Sequence, residues 1–307
     1  MNMEKIKLGQ LEMLVAAVDA GSFSAAASEL GCTQSRISHA IAELEGAVGA
    51  RLLRRSRSGC TPTDAGYHVL VKARQILRLA ESLVQTASEE TGASGRVRIA
   101  CFRSAGAHLL PHVLEALGNE HPGIQVDVND GCADYQDVLA AVRQGMADIG
   151  LTRDESFDDL QSYRLAHDAY VLVVPAGLQL KTPLDWRQLS NLPYIQAQNA
   201  GSAWVIEQCR ATGLPLKVGR RLASDSGILA LVSRGMGFSI FPHLAAFPAP
   251  AGIRVTSLPI EVRRNIAVVM QADVARNKVV KIVTRFIRDQ KGLKKTDAFR
   301  AGVIGLD

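Results

Sequence analysis

The stretch GCTQSRISHAIAELE, residues 31–45, decides how this chain is read. Ile37, Ile41, Leu44 and then Val48 follow the spacing of one buried helix face. The opening turns crowd Thr33, Gln34, Ser35, Arg36, Ser38 and His39 onto the remaining surface. A helix that meets only water more commonly carries Glu and Lys pairs. Upstream, Leu11, Leu14, Val15 and Val18 mark an amphipathic first helix stopped at Gly21. Ser22 or Ser24 caps a short second helix, whose Ala25, Ala26, Ala27 and Leu30 allow close packing. Gly31 ends it, and Thr33 stands as N-cap of the third helix. Two helices joined by a short Gly-containing turn make a helix-turn-helix candidate, although a generic helical hairpin has the same spacing.

The third helix separates these two readings. With its apolar face turned inward, Ser35, His39 and Ala42 lie opposite, flanked by Arg36 and Ser38, and Gln34 sits at the exposed start. The N-terminal residues of a recognition helix are those that reach base edges. Gln pairs bidentately with adenine and Arg with guanine, while Ser serves bases or phosphate. His39 is a phosphate donor on this reading. Next come Arg51, Arg54, Arg55 and Arg57, the densest positive cluster of the chain, before a Ser58-Gly59 turn. Beside a helix-turn-helix, such a basic hairpin reads as a wing gripping the phosphate backbone rather than a solvated charge run.

Residues 17–66, AVDAGSFSAAASELGCTQSRISHAIAELEGAVGARLLRRSRSGCTPTDAG, closely resemble the N-terminal domain of LysR-type transcriptional regulators. The shared pattern includes Gly-Ser-Phe, Thr33-Gln34-Ser35, Ser38, Leu44-Glu45 and Gly49, and runs through Leu52, Leu53 and Arg55 to Thr63, Ala65 and Gly66. Arg36 stands where the family usually has a small residue, Ser58 where a wing arginine is frequent, and Pro62 where a leucine is frequent. The resemblance implies DNA binding by Thr33, Gln34, Ser35, Arg36, Ser38 and His39, with Arg54, Arg55 and Arg57 on phosphates.

From Thr63 to about Glu90 the chain reads as one long helix. Val69, Ile76 and Leu83 recur every seven residues, and Ala73, Ala80 and Ala87 fall four after each. This heptad seam predicts dimerisation, the alternative being a long helix packed against its own domain, and the resembled family uses the segment as a dimerising linker. TGASG, residues 91–95, reads as a flexible hinge.

From Arg96 onward strands alternate with helices, the pattern of βαβ units and parallel sheets. RVRIACF, IQVDVND, YVLVVP, YIQA, RLASDS and GFSIFP are the strand candidates, and residues 105–123 read as a helix. LLPHVLEALGNEHPGIQVDV, VRQGMADIGL, YVLVVP and LVSRGMGFSIFP resemble the LysR-type effector domain. That resemblance implies two α/β subdomains around a periplasmic-binding-protein-like cleft, the chain crossing near Ala166 and returning near Ile266. The expected organisation is a winged helix-turn-helix over 1–62, a linker helix over 63–91, and an effector domain over 92–307. Within the last, subdomain I takes about 96–165 and 267–291, and subdomain II about 166–266. Ligands of such sheets bind beyond the carboxyl ends of strands. The candidates there are Ser104, Asp134, Gln198, Asn199, Ser202, Ser224, Ser226, Phe241 and Pro242. Hydroxyls, amides and free helix starts suit a small anionic molecule, against which Asp134 works unless it caps its own helix, and plain capping or turn chemistry is the alternative for each of these residues.

The 307 residues allow about two domains, and a formal net charge of +5 permits a nucleic-acid partner without requiring one. Five scattered cysteines with no CxxC pair fit reduced, buried thiols in the cytosol rather than a disulfide framework, a zinc site or a peroxide sensor. No signal peptide or membrane span is read, which argues against a secreted solute-binding protein. No Walker loop, GxGxxG, GxSxG or HExxH pattern points to catalysis, so no cofactor or metal is expected. The partners expected are double-stranded DNA, a small effector, and further copies as a homodimer and homotetramer, with RNA polymerase a candidate and no membrane. The apolar AGVIGLD end defaults to disorder.

Overall fold

The computed structural model describes residues 6–56, 59–87, 93–213 and 218–306. Arg57, the side chain of Ala87 and the start of the expected hinge lie outside the described residues. The chain divides into two compact units, Met1–Ala93 with Arg143–Met146, and Ser94–Val142 with Ala147–Asp307.

The first unit is built from α1 (Leu8–Asp19), α2 (Phe23–Glu29), α3 (Gln34–Val48), the hairpin β1 (Leu53–Ser56) and β2 (Gly59–Pro62), and α4 (Asp64–Ala87). Ser22 Oγ accepts the Ala25 N–H at 3.2 Å and Thr33 Oγ1 the Arg36 N–H at 3.3 Å, so the starts of α2 and α3 each have a side-chain cap. Leu11, Leu14, Phe23, Ile37, Ile41, Leu44 and Leu52 share one core, which Leu70 and Ala73 of α4 complete. Ala40 joins Ile37, Ile41 and Leu44 on the buried face of α3. Val48 departs from expectation: it is 38% exposed, because no described part of this unit covers the last turn of that face. Glu45 Oε1 accepts the Leu52 and Leu53 N–H groups at 2.7 and 3.2 Å, tying the wing to α3. A Cβ at Gly66 would lie 2.0 Å from the Leu52 carbonyl oxygen, so the start of α4 approaches β1 only with glycine there.

The second unit opens with β3 (Gly95–Phe102), α5 (Arg103–His108), α6 (Leu110–Glu120) and β4 (Ile124–Cys132). It continues with α7 (Tyr135–Arg143), β5 (Ile149–Arg153), β6 (Gln161–Pro175), β7 (Tyr194–Ala197), α8 (Ala200–Arg210), β8 (Val218–Leu222) and α9 (Asp225–Ser233). It closes with β9 (Ser239–Pro242), β10 (Ile253–Ser257), β11 (Arg263–Met270), α10 (Lys278–Ile287), α11 (Gln290–Leu293), α12 (Asp297–Arg300) and β12 (Ile304–Gly305). The main sheet runs β10-β6-β11-β5-β3-β4, with β9 and β12 also paired to β6. β3 is parallel to β4 and β5, whereas β11 is antiparallel to β5 and β6.

β6 organises this unit. Residues 161–169 pair with β11, and residues 170–175 pair with β9 and β10, so one strand serves two lobes. One lobe packs Ala100, Val138, Val142 and Val269; the other packs Tyr170, Leu172, Tyr194, Val205 and Phe238. Ala166 and Ile266, the expected crossing points, are direct partners in the β6–β11 ladder, which shifts register after Ile266.

Three expectations for this half are corrected. The helix expected over 105–123 is two helices, α5 and α6, broken at Leu109 with a proline in the first turn of α6; Pro111 has no N–H to carry the first ladder onward. RLASDS is not a strand throughout: β8 ends at Leu222, and Ser224 caps α9 by accepting the Gly227 N–H at 3.3 Å. Residues 303–305 of the expected loose end are packed, with Val303 and Ile304 buried and β12 antiparallel to β6 through Ile304↔Asp168 and Gly305↔His167.

Candidate functional site

The first unit presents one polar, basic face. Gln34, Ser35, Arg36 and His39 are exposed on α3 while Ile37, Ala40, Ile41 and Leu44 are buried. Thr33 is also exposed, with its hydroxyl oxygen engaged as the cap. Ser24 Oγ donates to Gln34 Oε1 at 3.3 Å, which holds that amide at the helix start. His39 Nδ1 lies 3.4 Å from Glu43 Oε1. Arg55 is the best-positioned cation: both its terminal nitrogens donate to Ser38 Oγ, at 3.2 and 3.3 Å, and its guanidinium sits 4.3 Å from the Phe23 ring centre. Ser38 thus holds Arg55 against α3. Arg54 is exposed on the same strand.

On α4 the expected seam splits in two. Ala73 is corrected from dimer contact to core residue: it is 1% exposed and packs with Leu70 against this unit's own helices. Val69 packs partly on the same core, and Ala80 is half-buried. Ile76, Leu79 and Leu83 stand exposed on the helix, Leu83 at 72%. Leu79 lies outside the strict heptad set, so the spacing alone does not single it out.

In the second unit a cavity of about 110 Å³ opens where the carboxyl ends of β3, β4 and β5 face the starts of α8 and α9. Ser104, Asp134, Asn199, Ser202, Phe241 and Pro242 line it, as expected. Gln198, Ser224 and Ser226 do not: the Gln198 N–H donates to the Leu222 carbonyl, and Ser224 is a helix cap whose hydroxyl meets that of Ser226 at 2.8 Å. Asn199 Oδ1 accepts the Ser202 N–H at 2.7 Å, capping α8 on the cavity wall. Asp134 Oδ1 accepts the Gln136 N–H at 3.4 Å, the capping role that eases its presence there.

The chemistry of the cavity rests on residues that the sequence pattern did not single out. Arg103, Arg153 and Arg264 line it together with Asp225, Tyr135 and Tyr170. The Arg153 guanidinium lies 4.7 Å from the Tyr135 ring centre and 5.2 Å from that of Trp204, and its Nε donates to Glu155 at 3.0 Å. Arg264 is buried against Asp168, Nε to Oδ1 at 2.8 Å and Nη2 to Oδ2 at 2.9 Å, with Phe102 under its plane at 4.5 Å. Burial pushes the Asp225 carboxyl above its ordinary range, against the through-space pull of Arg103 and Arg264. Arg153 ends a strand, where ligand contacts concentrate, and that position was its one available signal. The Cys132 thiol on the same wall is also pushed up, first by burial and then by Asp137 and Asp130.

Residues 8–67 match the family described as bacterial regulatory helix-turn-helix protein, lysR family, and residues 90–292 match the LysR substrate binding domain. This chain belongs to the LysR family. As a LysR-type transcriptional regulator it joins a helix-turn-helix DNA-binding domain to an effector-binding domain. LrrA of Synechococcus elongatus, a probable HTH-type transcriptional regulator, is 39% identical over 87% of this chain and 91% of its own length. ArgP from Mycobacterium tuberculosis shares the fold with a TM-score of 0.69 at 23% identity, covering 93% of this chain and 97% of that one. LysG from Corynebacterium glutamicum, solved with its effector Arg bound, gives a TM-score of 0.61 at 20% identity, covering 95% and 99%. The LysR match ends at residue 292, so α12 and β12 of this regulator lie beyond it.

Proposed function

We propose that Gln34, Ser35 and Arg36 read base edges from the start of α3, with Thr33 and His39 at the flanking phosphates. Arg54, Arg55 and Arg57 hold the backbone through the wing, and Ser38 orients Arg55. The observation that carries this reading is the division of α3 into a buried apolar face and an exposed polar one, with Arg55 fixed against it. Ile76, Leu79 and Leu83, with Ala80 beside them, join two copies through α4, and pairs of dimers form a tetramer. A small molecule with a carboxylate occupies the cavity at Arg153 and shifts the balance between arrangements of the two lobes. Such a ligand acts only through its differential affinity for the two arrangements. The regulator works in the cytoplasm by binding, without catalysis, and RNA polymerase is the partner that reads out its position on DNA.

The test is binding of the full-length protein to DNA from upstream of its own gene against scrambled DNA, over a salt series. Tighter, salt-sensitive binding to the upstream fragment supports the reading, since each phosphate neutralised adds to the salt slope. Absence of DNA binding even at low salt overturns it.

A further inference from the structure

Among the described residues the cavity holds an unmatched cationic donor and an unmatched carboxylate, with the buried Ser202 hydroxyl also open on its wall. Arg153 spends Nε and Nη2 on Glu155, while its Nη1 is buried with no hydrogen-bond partner among the described residues. The two aromatic faces of Tyr135 and Trp204 hold the guanidinium in this orientation. A buried donor left open is costly, and a site that tolerates one is built to have it filled. On the other lobe, Asp225 begins α9, lines the same cavity and is half-buried. Its carboxylate makes no hydrogen bond among the described residues; Arg103 and Arg264 act on it only through space. Arg264 is committed to Asp168, so it is not free to neutralise Asp225 directly.

A plain anion would satisfy Arg153, with Arg103 on the same wall, yet leave the Asp225 carboxylate without a hydrogen-bond partner in the same small cavity. A plain cation would satisfy Asp225 and leave Arg153 Nη1 open. A ligand with both charges answers both. Resting on the reading of this cavity as the effector site, we infer that the effector is a small zwitterion of the amino-acid type. Its carboxylate is held by Arg153 and its ammonium group by Asp225. Because Arg153 ends β5 in one lobe and Asp225 begins α9 in the other, such a ligand ties the lobes together only when both of its charges are engaged. The charge pair therefore doubles as the closing signal.

The experiment uses the full-length protein and the twenty proteinogenic L-amino acids, followed by thermal shift and then calorimetry. Each amino acid that responds is compared with its 2-oxo acid, which lacks the ammonium group, and its amine, which lacks the carboxylate. At least one amino acid should raise Tm with concentration, while its oxo acid and amine bind at least about tenfold more weakly. In Asp225→Asn the amino acid should lose about ten- to hundredfold in affinity and the oxo acid should not. If that variant fails to fold, the comparison of matched ligands on the wild type still decides. Oxo acids binding as well as amino acids would overturn the zwitterion and leave the effector site standing. No response to any amino acid would likewise overturn the zwitterion.

Discussion

Asp168 and Arg264 face each other across the β6–β11 ladder as register partners, and their side chains meet through two hydrogen bonds of 2.8 and 2.9 Å. Asp168 is fully buried, and its Oδ2 also accepts the Leu244 N–H at 3.0 Å. The pair thus joins the strand that serves both lobes to the strand that returns and to the turn after β9. Removing one member of a buried pair leaves the other charge uncompensated, which typically costs about 3–5 kcal/mol. Asp168→Asn should therefore lose stability of that order in denaturant unfolding, and a loss below about 1 kcal/mol would show that the pair holds nothing in place.

If Gln34 reads bases and Arg55 holds the backbone, as proposed, their substitutions should separate. Gln34→Ala should lower discrimination between operator and scrambled DNA by about 1–3 kcal/mol. Arg55→Ala should weaken binding to both DNAs alike and reduce the salt slope by about one. Equal effects of the two changes on discrimination, read from competition binding, would contradict the assignment.

Leu79 and Leu83 are exposed on α4, whereas Ala73 on the same helix is buried in its own unit. Leu79→Glu with Leu83→Glu should shift the protein towards monomer in analytical ultracentrifugation while leaving its fold intact. Ala73→Glu should instead destabilise the domain itself, because it forces a charge into a packed core. A dimer unaffected by the paired leucine change would move the interface elsewhere.

The last strand lies beyond the residues that match the LysR substrate binding domain, yet it is packed. A chain ending at residue 302 loses Val303 and Ile304, both 4% exposed. Their burial contributes roughly 3–6 kcal/mol at about 1.5–3 kcal/mol per side chain. Thermal unfolding of the shortened protein should show a clearly lower Tm, and an unchanged Tm would return the tail to a passive role.

The thiols divide by burial. Cys60, Cys101, Cys132 and Cys209 are buried and Cys32 is partly exposed. Burial pushes Cys101 up to about 12 and Cys209 up to about 11. One thiol per chain should react quickly with a thiol reagent in the native state, and the others only on unfolding. A folded pKa above the unfolded value means that the native state keeps protons that the unfolded state releases. Stability from these thiols is whole below about pH 9 and falls as pH rises towards 11 and 12. Cys101→Ala with Cys209→Ala should flatten that alkaline fall in Tm; a fall of the same steepness would trace it to other groups.

The sequence by itself determined whatever depends on neighbours in the chain. The 3.6-residue period of Ile37, Ile41 and Leu44 set one face of α3 inward and so put Gln34, Ser35 and Arg36 outward. Cap chemistry set the helix starts at Ser22, Thr33 and Asn199, because a side-chain oxygen satisfies N–H groups only two or three residues away. Ser104, Asp134 and Asn199 reached the cavity wall because strand ends and helix starts converge there by topology.

Only the tertiary structure decided which of two similar positions is used. Ala73 and Leu83 belong to one periodic seam, but α4 packs Leu70 and Ala73 on its own domain and leaves Ile76, Leu79 and Leu83 exposed. Val303 and Ile304 read as a loose apolar end until β6 supplies a free edge for them. Asp168 and Arg264 stand far apart in the chain, and so do Arg153 and Asp225. Each meaning comes from a partner that folding brings near, and charge interactions depend on distance and desolvation rather than on spacing along the chain.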